Sequence, residues 1–124
     1  MDFIVSTEIQ SRIKTILQKL NLPHLDHKRI IGFISYGSKS KAYARIWSLP
    51  TIWQKALQVK AHYCVEVIWE KFNKLNHSDQ TKVLIHELMH IPKTFSGALL
   101  PHKGRGRIRI NKHAVDKIYN KYFR

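Results

Sequence analysis

The chain has 124 residues, 44% of them hydrophobic, and its 22 Lys and Arg against 8 Asp and Glu give a formal net charge of +14. The hydrophobic content is sufficient for a packed core, which excludes wholesale disorder. Cys64 is the single cysteine, so a disulfide framework and a cysteine-based zinc cluster are excluded. A lone thiol also favours a reducing, cytoplasmic location. No run of about 18 apolar residues occurs, so we predict no membrane-spanning segment.

The acidic residues are unevenly distributed along the chain. None lies between Asp26 and Glu66, and none lies between Glu87 and Asp116. Surfaces of one sign attract polyanions, so nucleic acid is the first partner to consider. The candidate DNA contacts are Lys39, Lys41, Arg105, Arg107 and Arg109. Simple solubility, or an acidic peptide as substrate, would explain the same charge.

Apolar periodicity, β-branched runs and capping residues predict the secondary structure. The predicted helices cover 6–20, 51–57, 80–91 with a cap at 78–79, and the residues after Asn111. The predicted strands cover 29–36, 42–49, 62–69 and 107–110. The first two strands are close enough in sequence to form a hairpin. This order of elements indicates an α+β fold and not repeated βαβ units.

The predicted 80–91 helix contains His86-Glu87-Leu88-Met89-His90, an H-E-x-x-H motif. Residues i and i+4 share one face of a helix, so both imidazoles can bind the same metal ion. Neutral imidazole is a good zinc ligand. Glu87 lies where it can take a proton from a water that zinc activates. The flanking residues are mostly apolar, which disfavours the alternative that this His and Glu set simply faces solvent.

A catalytic zinc site needs a third protein ligand and an open position. No Glu follows the motif, which excludes a downstream Glu ligand, and Ser96 occupies the position where an extended motif would have its third His. The downstream candidates are His102, Asp116 and His113. We favour His102, because the loop before it contains a Gly and a Pro that suit a chain reversal. Asp116 is the second candidate, and His113 is expected at the surface or behind the ligands.

The residues around the motif also resemble a known family. The stretch 83–97, followed by Pro101-His102-Lys103-Gly104, is similar to the short metallopeptidases of archaea and phages, which are single-domain zincin-like proteins. The resemblance extends upstream through 35–47 and downstream into the last helix. It implies that His86, His90 and His102 bind zinc and that Glu87 is the base. A more distant resemblance is to the SprT-like zincins, which act on protein crosslinked to DNA and carry their third His much further downstream.

We therefore expect residues 1–124 to form a single, minimal zincin-like metallopeptidase domain. In this α+β fold, a small, mainly antiparallel sheet packs against the H-E-x-x-H helix, with helices at both ends of the chain. The expected function is zinc-dependent hydrolysis of a protein or peptide substrate, and recruitment to DNA by the basic surface is a further prediction. The alternative is a basic nucleic-acid-binding module with a structural zinc site, although such sites normally have four closed ligands.

Four expectations concern residues outside the motif. Tyr63 and Tyr119 are candidate donors to the oxyanion of the reaction. Glu66 is predicted either to orient a ligand His or to pair with a Lys. The substrate is predicted to lie extended beside the 63–68 strand. The tryptophans are predicted to be core residues, namely Trp47, Trp53 and Trp69.

Overall fold

The computed structural model describes residues 1–102 and 110–124, and within them a four-stranded mixed sheet packs against helices, as the α+β prediction requires. The strands are β1 (Asp2–Val5), β2 (Ile30–Tyr36), β3 (Ala44–Ser48) and β4 (Tyr63–Ile68). The helices are α1 (Thr7–Lys19), α2 (Thr51–Leu57), α3 (Trp69–Phe72), α4 (His77–Met89) and α5 (Lys112–Tyr122), and a 3-10 turn spans His27–Arg29. No helix in the described ranges is long and apolar enough to cross a membrane.

The strand order in the sheet is β1-β2-β4-β3. β2 and β4 run parallel, while the two outer pairings are antiparallel, so antiparallel pairing predominates as expected. The predicted hairpin of β2 with β3 is wrong, because β4 lies between them. A parallel pair needs a long crossover connection, and residues 37–62 supply it with β3 and α2. β1 was not predicted, since all four of its residues are exposed and show no alternation with buried positions.

This strand order corrects the predicted position of the substrate. β4 pairs with β2 on one side and with β3 on the other. Its backbone groups are therefore used within the sheet, and the 63–68 strand cannot present a free edge to a peptide. The strands at the two ends of the sheet are β1 and β3.

The helices cover one face of the sheet. Tyr63, Val65 and Val67 alternate along β4, are fully buried, and belong to the same core as the apolar residues of α1 and α4. On the opposite face, Phe3 and Trp47 are about half exposed. The prediction that Trp47 is a core residue is therefore wrong, because its strand position points away from the helices.

α1 approaches the sheet closely at Gly32 of β2. Ser6 caps the helix by accepting a hydrogen bond from the Ile9 amide, and the Ser6 amide donates to the Gly32 carbonyl over 2.8 Å. The Gly32 amide in turn donates to Oε1 of Gln10 over 2.8 Å. A Cβ at Gly32 would lie 2.8 Å from Cγ2 of Ile9 and 2.9 Å from the Gln10 amide nitrogen. Glycine therefore permits this contact between helix and strand.

α4 begins earlier than predicted. Asn76, and not the predicted residues 78–79, caps it by accepting a hydrogen bond from the Asp79 amide over 2.9 Å. Arg12 of α1 donates to Oε1 of Gln80 over 2.7 Å and to Oγ1 of Thr81 over 3.0 Å. These charged hydrogen bonds fix the first turn of α4 against α1. Later in the chain, Asn111 caps α5 as predicted, while the predicted strand at 107–110 falls almost wholly outside the described residues.

Substitution of Gly32 by Ala tests the close approach of α1. The added methyl group would contact the α1 backbone, which cannot move without disturbing the cap. We expect Gly32→Ala to lower the free energy of unfolding by about 1–3 kcal/mol, as overpacked core positions usually do. Urea denaturation monitored by circular dichroism measures the change. An unaltered denaturation midpoint would show that α1 can shift to accommodate the methyl group.

Candidate metal centre

Three imidazoles meet at the carboxyl end of α4. His86 lies in the last turn of the helix, His90 is its C-cap residue, and His102 follows the next loop. Their ligand nitrogens all lie within 4.8 Å of one another. The Nε2 atoms of His86 and His102 are 3.1 Å apart. The structure thus brings together the two His of the motif and the first of the three downstream candidates.

The ring of His90 has its orientation set by the loop. Nδ1 of His90 donates a hydrogen bond to the Leu100 carbonyl, and the Leu100 amide donates to the His90 carbonyl over 2.7 Å. A neutral imidazole that donates from Nδ1 carries its lone pair on Nε2, the atom available to a metal ion. The same pair of hydrogen bonds holds the loop against α4 two residues before His102.

A buried tyrosine holds the middle of this loop. The Tyr63 hydroxyl donates to the Ala98 carbonyl and accepts from the Gly97 amide, each over 2.9 Å. Gln54 holds the same loop from the other side by donating to the Ser96 carbonyl over 3.2 Å. The buried Tyr63 hydroxyl already donates one hydrogen bond and accepts another. It therefore cannot donate to a reacting oxyanion, and that prediction is wrong.

The second tyrosine considered for that role lies elsewhere. Tyr119 stacks on Phe123 with ring centroids 5.5 Å apart, and the Nζ of Lys82 lies 5.0 Å from its ring centroid. Tyr119 is not part of the cavity wall around the His cluster, which includes Tyr43 instead. Sequence reasoning did not find Tyr43 as a site residue, because it precedes β3 and reaches the cavity only through the packing of that strand against α4.

Burial shifts the pKa values of the groups at this centre. Glu87 is buried, and desolvation raises the pKa of its carboxyl group to about 7. Desolvation, together with the nearby His90 and His102, lowers the pKa of His86 to about 4. Burial also lowers the pKa of His90. At neutral pH, His86 is therefore in the unprotonated form that binds metal ions.

A cavity of about 1120 Å³ opens beside the three imidazoles and Glu87. Its walls come from β3, α4, α5 and the loop before His102. Most of the wall is apolar, with contributions from Ile46, Leu75, Val83, Leu99 and Val115. A concave, mostly apolar site with a few convergent polar groups is typical of ligand and substrate binding.

The two other downstream candidates do not join the His cluster. Oδ1 of Asp116 forms an ion pair with Nζ of Lys82 over 3.1 Å in the cavity wall. His113 is exposed on α5, as expected for a surface residue. Of the three candidates, His102 is thus the one that joins the His cluster within the described residues.

Within the described residues, Glu66 contacts neither a His of the cluster nor a Lys, so both predictions for it are wrong. It is buried on the sheet face opposite the helices, where it accepts a hydrogen bond from Nε1 of Trp47 over 2.9 Å and pairs with Arg45 over 3.4 Å. Burial would raise the pKa of Glu66, but hydrogen bonds from Ser35, Trp47 and Arg45 and the charge of Arg45 outweigh it and lower the pKa. Glu66 therefore stabilises the sheet.

The candidate DNA contacts are only partly described. Lys39 and Lys41 are exposed in the loop between β2 and β3. Arg105, Arg107 and Arg109 lie outside the described residues. The basic surface thus stays a prediction from the sequence.

A comparison with protein families bears directly on this centre. The sequence model of the family described as "Putative phage metallopeptidase" matches residues 1–122. The chain belongs to this family. No curated protein and no solved structure matches it significantly. Membership indicates a metallopeptidase, which acts on proteins or peptides, and the His cluster of this family member supplies three groups that could hold the metal ion. The resemblance to the phage metallopeptidases that the sequence showed is thereby confirmed.

Substitution of Tyr63 by Phe tests how the loop is held. Without the hydroxyl, the Gly97 amide and the Ala98 carbonyl lose their buried partner, so we expect the free energy of unfolding to fall by about 1–3 kcal/mol. We also expect faster hydrogen exchange in residues 94–102. Tyr122→Phe, which removes a hydroxyl from a more exposed ring, is the matched control. Equal exchange in both variants would mean that other contacts hold the loop.

Proposed function

We propose that this protein is a zinc-dependent metallopeptidase, with His86, His90 and His102 as zinc ligands and Glu87 as the general base. The observation that supports it best is the convergence of three imidazoles beside a buried carboxyl group in an open, mostly apolar cavity. When bound, Zn²⁺ would supply Lewis acidity to the substrate carbonyl and lower the pKa of a water molecule. In this proposal, residues 1–124 act as one catalytic domain.

The donor set fits zinc. The Nε2 atoms of His86 and His102 approach to 3.1 Å, and two neutral imidazoles in this arrangement would oppose their lone pairs unless a proton or a cation lay between them. Three nitrogen ligands with a fourth position open are typical of catalytic zinc sites. The Nδ1 hydrogen bond of His90 to a backbone carbonyl is the usual support for a zinc-binding imidazole.

Glu87 is suited to proton transfer. It follows His86 in the chain, and its carboxyl group lines the same cavity. A base is most effective when its pKa is near the working pH, and burial raises the pKa of Glu87 to about 7. Glu87 would take a proton from the attacking water and return it to the amine that leaves. This role requires the carboxylate form at the start of the reaction.

The free edge of β3 is the best position for the substrate. β3 lies at the end of the sheet, and residues Ala44–Ile46 line the cavity beside the His cluster. An extended peptide could add to this edge through main-chain hydrogen bonds, which would place one of its carbonyl groups in the cavity. The apolar wall formed by Val83 and Val115 would favour an apolar side chain next to the bond that is cleaved.

The alternative of a basic nucleic-acid-binding module with a structural zinc site has weaker support. Within the described residues, the cluster contains three ligands and borders an open cavity, whereas structural zinc sites are closed by four. Recruitment of the peptidase to DNA is compatible with the net charge of +14 and with exposed Lys39 and Lys41. That part of the proposal rests on charge alone.

Substitution of Glu87 by Gln separates catalysis from metal binding. Gln has nearly the same shape but cannot accept the proton, so we expect cleavage of a general substrate such as casein to fall by about 100-fold or more. Zinc content, measured by elemental analysis, should not change. Glu8→Gln, which alters an exposed carboxylate in α1, is the matched control. Wild-type cleavage by Glu87→Gln would exclude Glu87 as the base.

Substitution of His102 by Ala tests the third ligand. We expect zinc affinity to fall by at least about 100-fold, because loss of a ligand should cost more than loss of a supporting hydrogen bond. Competition with a chromogenic chelator measures the affinity. His113→Ala, which removes an exposed imidazole from α5, should bind zinc normally. If His102→Ala keeps its zinc while Asp116→Ala loses it, the third ligand is Asp116.

A further inference from the structure

The short helix α2 has its apolar side turned to solvent. Ile52 is 75% exposed, Trp53 54% and Leu57 56%. On a helical projection, these residues and Ala56 share one face. The prediction that Trp53 is a core residue is therefore wrong. In most surface helices the apolar face packs on the core, so this arrangement needs a reason other than folding.

A polar side chain attaches α2 to the rest of the protein. Gln54, on the opposite face, is the least exposed residue between 51 and 60, and its Nε2 donates to the carbonyls of Leu49 and Ser96 over 2.8 and 3.2 Å. α2 is thus fixed in place through its polar side. Its apolar side is left uncovered by the described residues, and contiguous exposed apolar surface commonly marks an interaction site.

The charge around α2 restricts what can cover it. Lys55 lies on the flank of the helix, Lys60 follows it, and no acidic residue occurs anywhere between Asp26 and Glu66. A second copy of this chain would bring another net charge of +14 against the first, which opposes self-association. The occupant that complements this surface is therefore apolar in part and negatively charged.

The small size and the exposure of α2 favour a lipid surface over a protein. Seven residues make a helix about 10 Å long, whereas each partner in a stable protein complex buries about 800 Å². Every residue of α2 except Gln54 is exposed. A bilayer needs no complementary shape, and it adds long-range attraction between anionic headgroups and the other cations of the chain.

We propose that α2 anchors the protein to anionic membrane surfaces. Ile52, Trp53 and Leu57 enter the boundary between headgroups and acyl chains, while Lys55 and Lys60 remain among the lipid phosphates. Trp suits this depth because its ring is apolar and its N–H stays hydrated. The attachment is peripheral and does not depend on the metal centre.

Co-sedimentation of the full chain with vesicles tests this proposal at about 150 mM salt, where distant charges are largely screened. We expect binding to phosphatidylcholine vesicles that contain 30% phosphatidylglycerol and little binding to phosphatidylcholine alone. Ile52→Lys should weaken binding by about tenfold although it adds a positive charge, because the new ammonium group cannot be buried. Ile4→Lys, at a comparably exposed position on β1, is the matched control and should bind at least as tightly as wild type.

A second measurement locates the contact. Brominated lipid should quench the tryptophan fluorescence of the wild type, and Trp53→Phe should lose most of this quenching while it still binds. Tighter binding by both Lys variants would show adsorption through charge alone and would overturn the proposal. Failure of the wild type to bind the anionic vesicles would overturn it as well, and would leave an acidic protein as the partner to seek.

Discussion

The hydrogen bond from the ring of His90 to the carbonyl of Leu100 joins the helix that carries two imidazoles to the loop that carries the third. The rest of the centre depends on it, because α4 carries only two of the three clustered imidazoles and the chain must return to α4 to bring in the third. Here the segment between α4 and His102 is short, and hydrogen bonds attach it to three other elements. Leu100 bonds to α4, Gly97 and Ala98 bond to Tyr63 of β4, and Ser96 bonds to Gln54 of α2.

The His cluster requires neutral side chains, whereas the molecule as a whole is strongly positive. The chain carries a net charge of +14, yet its three clustered imidazoles are the groups that most need to stay neutral in order to bind a cation. Burial favours the neutral form of His86 and His90, because it lowers the pKa of both. The same burial raises the pKa of Glu87 to about 7. One local property, burial, thus favours both the neutral form of these two imidazoles and a carboxyl group that can exchange a proton near neutral pH.

Prediction from sequence succeeded where neighbouring residues decide the outcome. α1, α2 and α5 have nearly the predicted bounds, because apolar spacing and capping residues act within a few turns. It failed for β1, whose exposed residues carry no alternating pattern, and for the pairing of β2 with β3. Insertion of β4 between those two strands is a long-range choice. Because of this order, β3 and not β4 has a free edge, and the proposed position of the substrate changes accordingly.

The sequence by itself determined the chemistry available: a two-His, one-Glu motif, the absence of any later Glu, and a strongly basic composition. The tertiary structure decided which residue completes the cluster, since the path of the chain after α4 determines which of His102, Asp116 and His113 comes close to His86 and His90. It also decided which apolar residues lie outside the hydrophobic core. Trp47 and Trp53 have ordinary core character, but one lies on the open sheet face and the other on a helix attached through its polar side. Residue type determines which interactions a side chain can form, whereas packing between distant segments determines which groups it contacts.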